Sequence, residues 1–108
     1  MVDPGALART LETAMRHHRG GQPSEAERLY RHVLAQDPGH APAAFLLGLL
    51  ALESGRPEHA VELFAQAVAA GPDNAVYRAN LGEAERRLHR FGAAAQSFLK
   101  AMSLKPDL

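Results

Sequence analysis

The fold is decided by residues 41–74, which read APAAFLLGLLALESGRPEHAVELFAQAVAAGPDN. The flanking sequence repeats this stretch at a shift of 34 residues, which brings prolines, alanines and aromatic residues into register. The equivalent sets are Pro23 and Pro57; Pro38, Pro72 and Pro106; Ala26, Ala60 and Ala94; and Tyr30, Phe64 and Phe98. Similarity at such a period is typical of repeat proteins. Three periods (7–40, 41–74 and 75–108) cover nearly the whole chain, and we expect residues 1–108 to form one domain.

Each period predicts two helices joined by a turn. Over residues 41–54 apolar side chains recur at helical spacing, Gly55 and Pro57 interrupt the pattern, and a second apolar stripe follows over 60–68. Asp3 is expected to cap the opening helix. By the same pattern, the outer periods predict helices at about 4–19, 23–36, 75–88 and 91–104.

The composition agrees with an almost entirely helical chain and excludes several kinds of protein. Ala, Leu and Arg dominate, whereas the chain has five Val, two Thr and no Ile. With no cysteine, disulfides, thiolate metal sites and cysteine nucleophiles are excluded. No apolar run approaches the roughly 18 residues of a membrane span. The first residues lack the pattern of a signal peptide, so we expect a cytoplasmic location.

Small residues at equivalent positions predict how the two helices of each period pack. Ala14, Gly48 and Gly82 lie in the middle of the first helices, and small alanines lie early in the second helices. We expect these residues to permit close approach, with the repeated aromatic residues filling the wider end of the wedge between the helices. Such a hairpin cannot bury its own outer flank and must stack on its neighbours, which makes an α-solenoid.

The middle period resembles the tetratricopeptide repeat. The matching residues are Leu47, Gly48, Gly55, Pro57, Ala60, Phe64, Ala67, Val68 and Pro72. The resemblance implies an all-α, right-handed superhelix of three helix-turn-helix repeats with six helices. In the first period Thr10, Thr13 and His17 replace larger apolar or aromatic residues, so we expect the first helix to be the least stable. In the third, His89 stands where glycine is usual.

The resemblance also implies a protein-interaction module whose concave groove is lined by the first helix of each repeat and binds a peptide or a partner domain. The groove positions are Leu11, Met15, His18, Arg19, Phe45, Leu49, Leu52, Glu53, Ala79, Glu83, Arg86 and Arg87. Phe45, Leu49 and Leu52 recur at helical spacing on the side opposite Gly48, which predicts a partly exposed apolar stripe. The alternative is that this helix is apolar all round and simply buried.

Two narrower comparisons within the family point in different directions. Members that clamp the C-terminal carboxylate of chaperones use Lys, Asn and Arg in the groove. The corresponding residues here are Leu11, Met15, Leu46, Val76 and Asn80, of which only Asn80 fits, so such a clamp is disfavoured. Stretches such as 26–30 and 37–40 resemble the opening repeats of large bacterial proteins that carry an O-GlcNAc-transferase-like glycosyltransferase, a sulfotransferase or a methyltransferase. A substrate-presenting region of a larger transferase is therefore an alternative function, and a self-associating structural domain is another.

The sequence contains no catalytic constellation, and we expect no enzymatic activity, cofactor or metal. His17 and His18 are adjacent and point about 100° apart on a helix, which suits joint ligation poorly. The arginines of the third period, with Arg86 and Arg87 beside Glu83, indicate a solvated helix face with ion pairs. Because the net charge is zero, nucleic acid is not expected as a partner. No membrane partner is expected either.

The last helix carries an apolar flank that nothing later in this sequence covers. Ala95, Leu99 and Met102 recur at helical spacing beside Phe98. Solenoids normally end in a helix with a polar outer face. We therefore expect this edge either to pair with a second copy in a homodimer or to continue into further repeats.

Overall fold

The computed structural model describes residues 3–107, and this part of the chain contains six α-helices and no β-strand. The helices are α1 (Pro4–Arg19), α2 (Pro23–Gln36), α3 (Ala41–Glu53), α4 (Pro57–Ala70), α5 (Ala75–Arg87) and α6 (Phe91–Leu104). The predicted bounds are confirmed to within one residue, since α3 and α5 each end one residue earlier than expected. None of the helices described is both long enough and apolar enough to cross a membrane.

The helices form three hairpins that stack in chain order. α1 packs on α2, α3 on α4 and α5 on α6, while α2 packs on α3 and α4 packs on α5. Within residues 3–107 the first and third hairpins do not touch, so the particle is elongated, with extents of 39 × 26 × 22 Å. This arrangement, in which each repeat contacts only its neighbours, confirms the predicted α-solenoid of three helix-turn-helix repeats.

The first helix of each hairpin begins with a side-chain cap. The Asp3 carboxylate accepts a hydrogen bond from the backbone N–H of Gly5 at 3.0 Å, as predicted. His40 accepts through Nδ1 from Ala43 at 3.1 Å, and the Asn74 side chain accepts at the start of α5. These bonds satisfy N–H groups that have no partner within the helix. The second helices have no such cap.

The turns inside the hairpins require left-handed backbone. Gly21 and Gly55 have φ angles of 74° and 76°, which glycine adopts without steric cost. His89 occupies the equivalent place in the third hairpin and has a φ of 60°. The third turn therefore keeps the geometry of the other two, although its residue carries a Cβ atom that disfavours it.

The positions of the aromatic rings in the core differ from the sequence-based prediction. The aromatic rings do not fill the wide end of a wedge, because in two hairpins the ring rests directly on the glycine of the partner helix. A Cβ atom built on Gly48 would lie 2.6 Å from the Phe64 ring, and one built on Gly82 would lie 2.9 Å from the Phe98 ring. Each glycine thus leaves the space into which the aromatic ring packs, and a methyl group would occupy that space. The small residues and the aromatic residues act as one contact.

Candidate partner-binding groove

A cavity of about 370 Å³ opens between the first and second repeats. Its lining consists of Met15, His18, Arg19, Tyr30, Leu46 and Glu53. Four of these were predicted as groove residues, and the structure brings them together from α1 and α3. Leu46 was considered only as a counterpart of the carboxylate-clamp positions, and Tyr30 was not predicted to line the groove. The cavity has apolar walls with several polar atoms.

A chain of hydrogen bonds crosses this cavity and joins three helices. The Tyr30 hydroxyl lies 2.9 Å from Nδ1 of His18, and Nε2 of His18 lies 2.6 Å from Oε1 of Glu53. Because an ionised carboxylate only accepts, Nε2 carries a proton that it donates to Glu53. In the neutral imidazole, Nδ1 then accepts from the tyrosine hydroxyl. The bonds fix the orientation of the His18 ring and link α1, α2 and α3.

Burial changes the acidity of the tyrosine in this network. Tyr30 is fully buried, and loss of hydration raises the pKa of its hydroxyl to about 12, with the negative charge of Glu53 acting in the same direction. The Arg19 charge opposes this shift. The hydroxyl therefore stays protonated in the neutral pH range and remains able to donate a hydrogen bond.

The middle of the groove is apolar, but less open than the sequence suggested. Phe45 and Leu49 are half-buried and pack against the main core. The Phe45 ring lies 4.9 Å from that of Tyr77, measured between centroids, so this contact joins α3 to α5. Leu52 is only 7% exposed and belongs to the buried cluster with Ala84. Leu52 therefore does not contribute exposed lining in this structure, because it belongs to the buried core.

The part of the groove formed by α5 is charged. Glu83 accepts from Arg86 at 2.7 Å and from Arg87 at 3.0 Å, which confirms the predicted ion pairs. Hydrogen bonds from Arg86, and then from Arg87, lower the pKa of the Glu83 carboxyl to about 2. Ala79 is half-buried one turn earlier. This end of the groove presents a surplus positive charge over the paired carboxylate.

The remaining predicted residues have less direct roles. Leu11 and Met15 are half-buried and pack against the core, with Met15 also lining the cavity. Asn80, the residue compatible with a carboxylate clamp, donates its side-chain amide to the carbonyl of Val76 at 2.9 Å. Among residues 3–107, no three His, Asp or Glu side chains are grouped so that they could hold a metal ion.

The sequence contained a signal for the polar network that was missed. At the shift of 34 residues, Tyr30 corresponds to Phe64, and His18 corresponds to Leu52. A hydroxyl and an imidazole therefore appear together in the first repeat, where the second repeat has an apolar pair. In the structure the two side chains that differ in this way contact each other.

The chain belongs to the tetratricopeptide repeat family. Two family models of that description match residues 18–84 and 75–108. Among characterised proteins, the chain is 33% identical over 94 residues to Protein FlbA of Caulobacter vibrioides. That alignment covers 87% of this chain and 16% of FlbA, so the chain spans a small part of this relative.

Solved structures with the same fold come from proteins of different kinds. A mutant of the O-GlcNAc transferase of Thermobaculum terrenum has a TM-score of 0.88 at 32% identity, covering 99% of this chain and 21% of that one. The first tetratricopeptide domain of Spaghetti (RPAP3), bound to the HSP90 peptide SRMEEVD, has a TM-score of 0.94 at 18% identity, covering 99% and 85%. MamA from Desulfovibrio magneticus RS-1 has a TM-score of 0.87 at 22% identity, covering 94% and 58%. The last two likenesses show the fold alone.

Proposed function

We propose that this chain is a protein-interaction module that binds a peptide or a partner domain along the groove formed by α1, α3 and α5. The observation that carries the proposal is the half-exposed apolar surface of Phe45 and Leu49, which lies between two polar regions. An apolar centre with a polar rim is the usual anatomy of a protein-binding surface. The peptide complex of the Spaghetti domain supports the class of ligand, because that domain shares the fold.

The two polar regions on either side of the apolar centre restrict the chemistry of the ligand. At the cavity, Glu53 is engaged by His18, and the Arg19 side chain is exposed. At α5, one carboxylate is shared by Arg86 and Arg87. A ligand with apolar residues at its centre would bury Phe45 and Leu49. A chaperone-tail clamp is not proposed, since the clamp positions are mostly apolar and Asn80 bonds within its own helix.

Peptides selected from a displayed random library against the wild-type chain provide the test. Phe45→Ala and Leu49→Ala should each weaken binding of the selected peptide by at least about tenfold, a loss of about 1.4 kcal/mol. Ala65→Ser, on the exposed surface of α4, is the control and should leave the affinity unchanged. The proposal fails if both groove variants bind like the wild type. If both unfold instead, the two residues are core rather than groove.

A second candidate is that the chain forms the substrate-presenting repeat region of a larger transferase of the O-GlcNAc transferase type. It is favoured by 32% identity over 99% of this chain to the Thermobaculum terrenum enzyme, of which the chain spans 21%. The chain itself is proposed to be non-catalytic, and its location to be cytoplasmic. The natural reading frame would decide this candidate: a transferase domain downstream of the repeats supports it, and a frame without one rejects it. Cell fractionation tests the location.

A further inference from the structure

The predicted edge on α6 is narrower than the sequence suggested. Ala95, Leu99 and Met102 are exposed, whereas the Phe98 ring packs on α5 over Gly82. Nothing within residues 3–107 covers the three exposed side chains, so pairing with a second copy and continuation into further repeats both stay predictions.

The cavity between the first two repeats has two features that the fold itself does not require. In the second repeat the equivalents of His18 and Tyr30 are a leucine and a phenylalanine, both buried, so the repeat accepts an apolar pair. Replacing two buried hydrogen-bonding groups by apolar ones of similar shape can be neutral or stabilising. In addition, α3 ends in Glu53, where α1 and α5 end in arginine, and the helix dipole disfavours an acidic residue at this end. Stability therefore explains neither the network nor its carboxylate.

The network holds the Glu53 carboxylate at the cavity and leaves it accessible. Oε1 of Glu53 lies 2.6 Å from Nε2 of His18, and the Tyr30 hydroxyl holds the imidazole at Nδ1. The side chain of His18 is 16% exposed and that of Glu53 is 61% exposed. Among residues 3–107, Oε2 of Glu53 accepts no hydrogen bond, and neither lysine nor arginine pairs with this carboxylate. A cation of a ligand can therefore reach Glu53 without displacing a lysine or an arginine of the chain.

The rest of the cavity suits a long basic side chain. Met15 and Leu46 line it and are half-buried, and basic side chains bury their methylene stems on such apolar surface. The volume of about 370 Å³ admits a side chain of this size. Arg19 also lines the cavity and its charge opposes a cation, but it is exposed and can turn into the solvent. Glu53 is already oriented, and an oriented group loses less entropy on binding.

We propose that Glu53 is a specificity-determining residue of the groove and pairs with a lysine or arginine side chain of the bound partner. The stem of that side chain contacts Met15 and Leu46. His18 and Tyr30 are positioning residues, because they act through the orientation of the carboxylate. This assignment rests on the proposed function, since it needs a peptide or a partner domain in the groove.

Parallel selection of peptides from the displayed random library against the wild type and against Glu53→Gln tests the proposal. The wild type should enrich Lys or Arg at one peptide position, and Glu53→Gln should lose this enrichment but keep the apolar positions. The peptide selected by the wild type should bind Glu53→Gln at least about tenfold more weakly. Replacing its basic residue by alanine should have little further effect in that variant. The matched control Glu58→Gln removes an exposed carboxylate from α4, outside the groove, and should bind like the wild type.

Two further variants test the orientation of the carboxylate. His18→Leu plus Tyr30→Phe installs the apolar pair of the second repeat and should weaken binding at least about threefold, although the chain still folds. This loss should vanish for the peptide with alanine in place of its basic residue, whereas a purely structural defect would weaken both peptides. Arg19→Gln should bind the basic peptide as tightly as the wild type or more tightly. Thermal melts of each variant ensure that binding is measured on folded chain.

The outcomes separate the role of Glu53 from the proposed function. Absence of a basic residue among the selected peptides, or equal binding by Glu53→Gln, overturns the role of Glu53 and leaves the apolar groove standing. An acidic residue in its place, with weaker binding by Arg19→Gln, overturns it in favour of Arg19 as the anchor. Wild-type affinity in both Phe45→Ala and Leu49→Ala rejects the apolar centre of the groove instead.

Discussion

The two junctions between repeats carry side chains of different polarity at equivalent positions of the sequence. At the first junction, where α2 meets α3, the Tyr30 hydroxyl, His18 and Glu53 form a hydrogen-bonded chain. At the second, where α4 meets α5, Phe64 and Leu52 occupy the places of Tyr30 and His18, and both are buried. One repeat geometry therefore accepts either a satisfied polar pair or an apolar pair. Mixed pairs would leave a buried polar group without a partner.

At the apolar junction, the contacts are made by aromatic rings that pack on one another. Phe45 lies 5.7 Å from Phe64 and 4.9 Å from Tyr77, centroid to centroid, and Phe64 covers Gly48. Close packing of this kind is sensitive to added volume, whereas a hydrogen-bonded chain is sensitive to loss of a single atom. We therefore expect added side-chain volume to destabilise the apolar junction most, and loss of one hydrogen-bonding atom to destabilise the polar junction most.

The largest effect is expected at Gly48 beside the apolar junction. Even a methyl group there would lie 2.6 Å from the Phe64 ring, so Gly48→Leu should destabilise the fold by about 3 kcal/mol or more. The melting temperature should fall by more than about 10 °C. In the first repeat the residue equivalent to Gly48 is Ala14, and the residue equivalent to Phe64 is Tyr30. Gly48→Ala therefore tests whether the second hairpin leaves less space between its two helices than the first does.

Gly92→Leu in α6 is the control for Gly48→Leu. A Cβ atom on Gly92 meets nothing within 4 Å, and leucine favours a helix more than glycine does, so this variant should melt no lower than the wild type. An unchanged melting temperature for Gly48→Leu would contradict the close contact between Gly48 and the Phe64 ring.

The next effect concerns the polar junction. Tyr30→Phe removes the hydroxyl that contacts His18 and should cost about 1–2 kcal/mol in the free energy of unfolding, because Nδ1 is left without its partner. Adding His18→Leu recreates the pair found at the second junction and should recover part of this loss. Denaturant unfolding of both single variants and the double variant measures the coupling. Strict additivity would show that the two residues do not act as a pair.

The helices and their order were predictable from the sequence because glycine and proline recur at fixed distances around apolar stripes. The ion pairs of Glu83 were predictable as well, since they form within one helix. The exposure of the groove residues was not predictable: Phe45 and Leu52 lie on the same predicted stripe, but in the folded chain Leu52 is buried and Phe45 is half-buried. Burial depends on how neighbouring helices pack, which the spacing along one helix does not give. The network of Tyr30 depends on three helices meeting, which spacing along one helix does not reveal.

A substitution that stabilises the fold, by a smaller amount, is expected in the turn between α5 and α6. His89→Gly should stabilise the chain by up to about 1 kcal/mol, because its φ of 60° matches those of Gly21 and Gly55. The His89 ring stacks on Phe91 at 5.5 Å, and losing that contact offsets part of the gain. His89→Ala separates the two terms, since it loses the stacking and keeps the strain. Thermal melts should rank glycine above histidine and histidine above alanine, and any other order would contradict this account of the turn.

The smallest effect is expected for charge pairs that lie within one helix instead of between repeats. Arg86 and Arg87 lower the pKa of Glu83 to about 2, compared with an ordinary value of 4.5, so the ionised carboxylate favours the folded state. This contribution is complete above pH 4.5 and is lost as the pH falls toward about 2. Since the pair is solvent-exposed, Glu83→Gln should cost only about 0.5 kcal/mol at neutral pH and nothing at pH values below the folded pKa. An NMR titration of Glu83 and unfolding measured at both pH values provide the test.

Glu53→Gln weakens a bond between α1 and α3. At neutral pH it should lower the free energy of unfolding more than Glu83→Gln does, because the Glu53 bond joins two repeats and the Glu83 pairs lie within one helix. The reverse order would contradict this difference between the junction and the single helix.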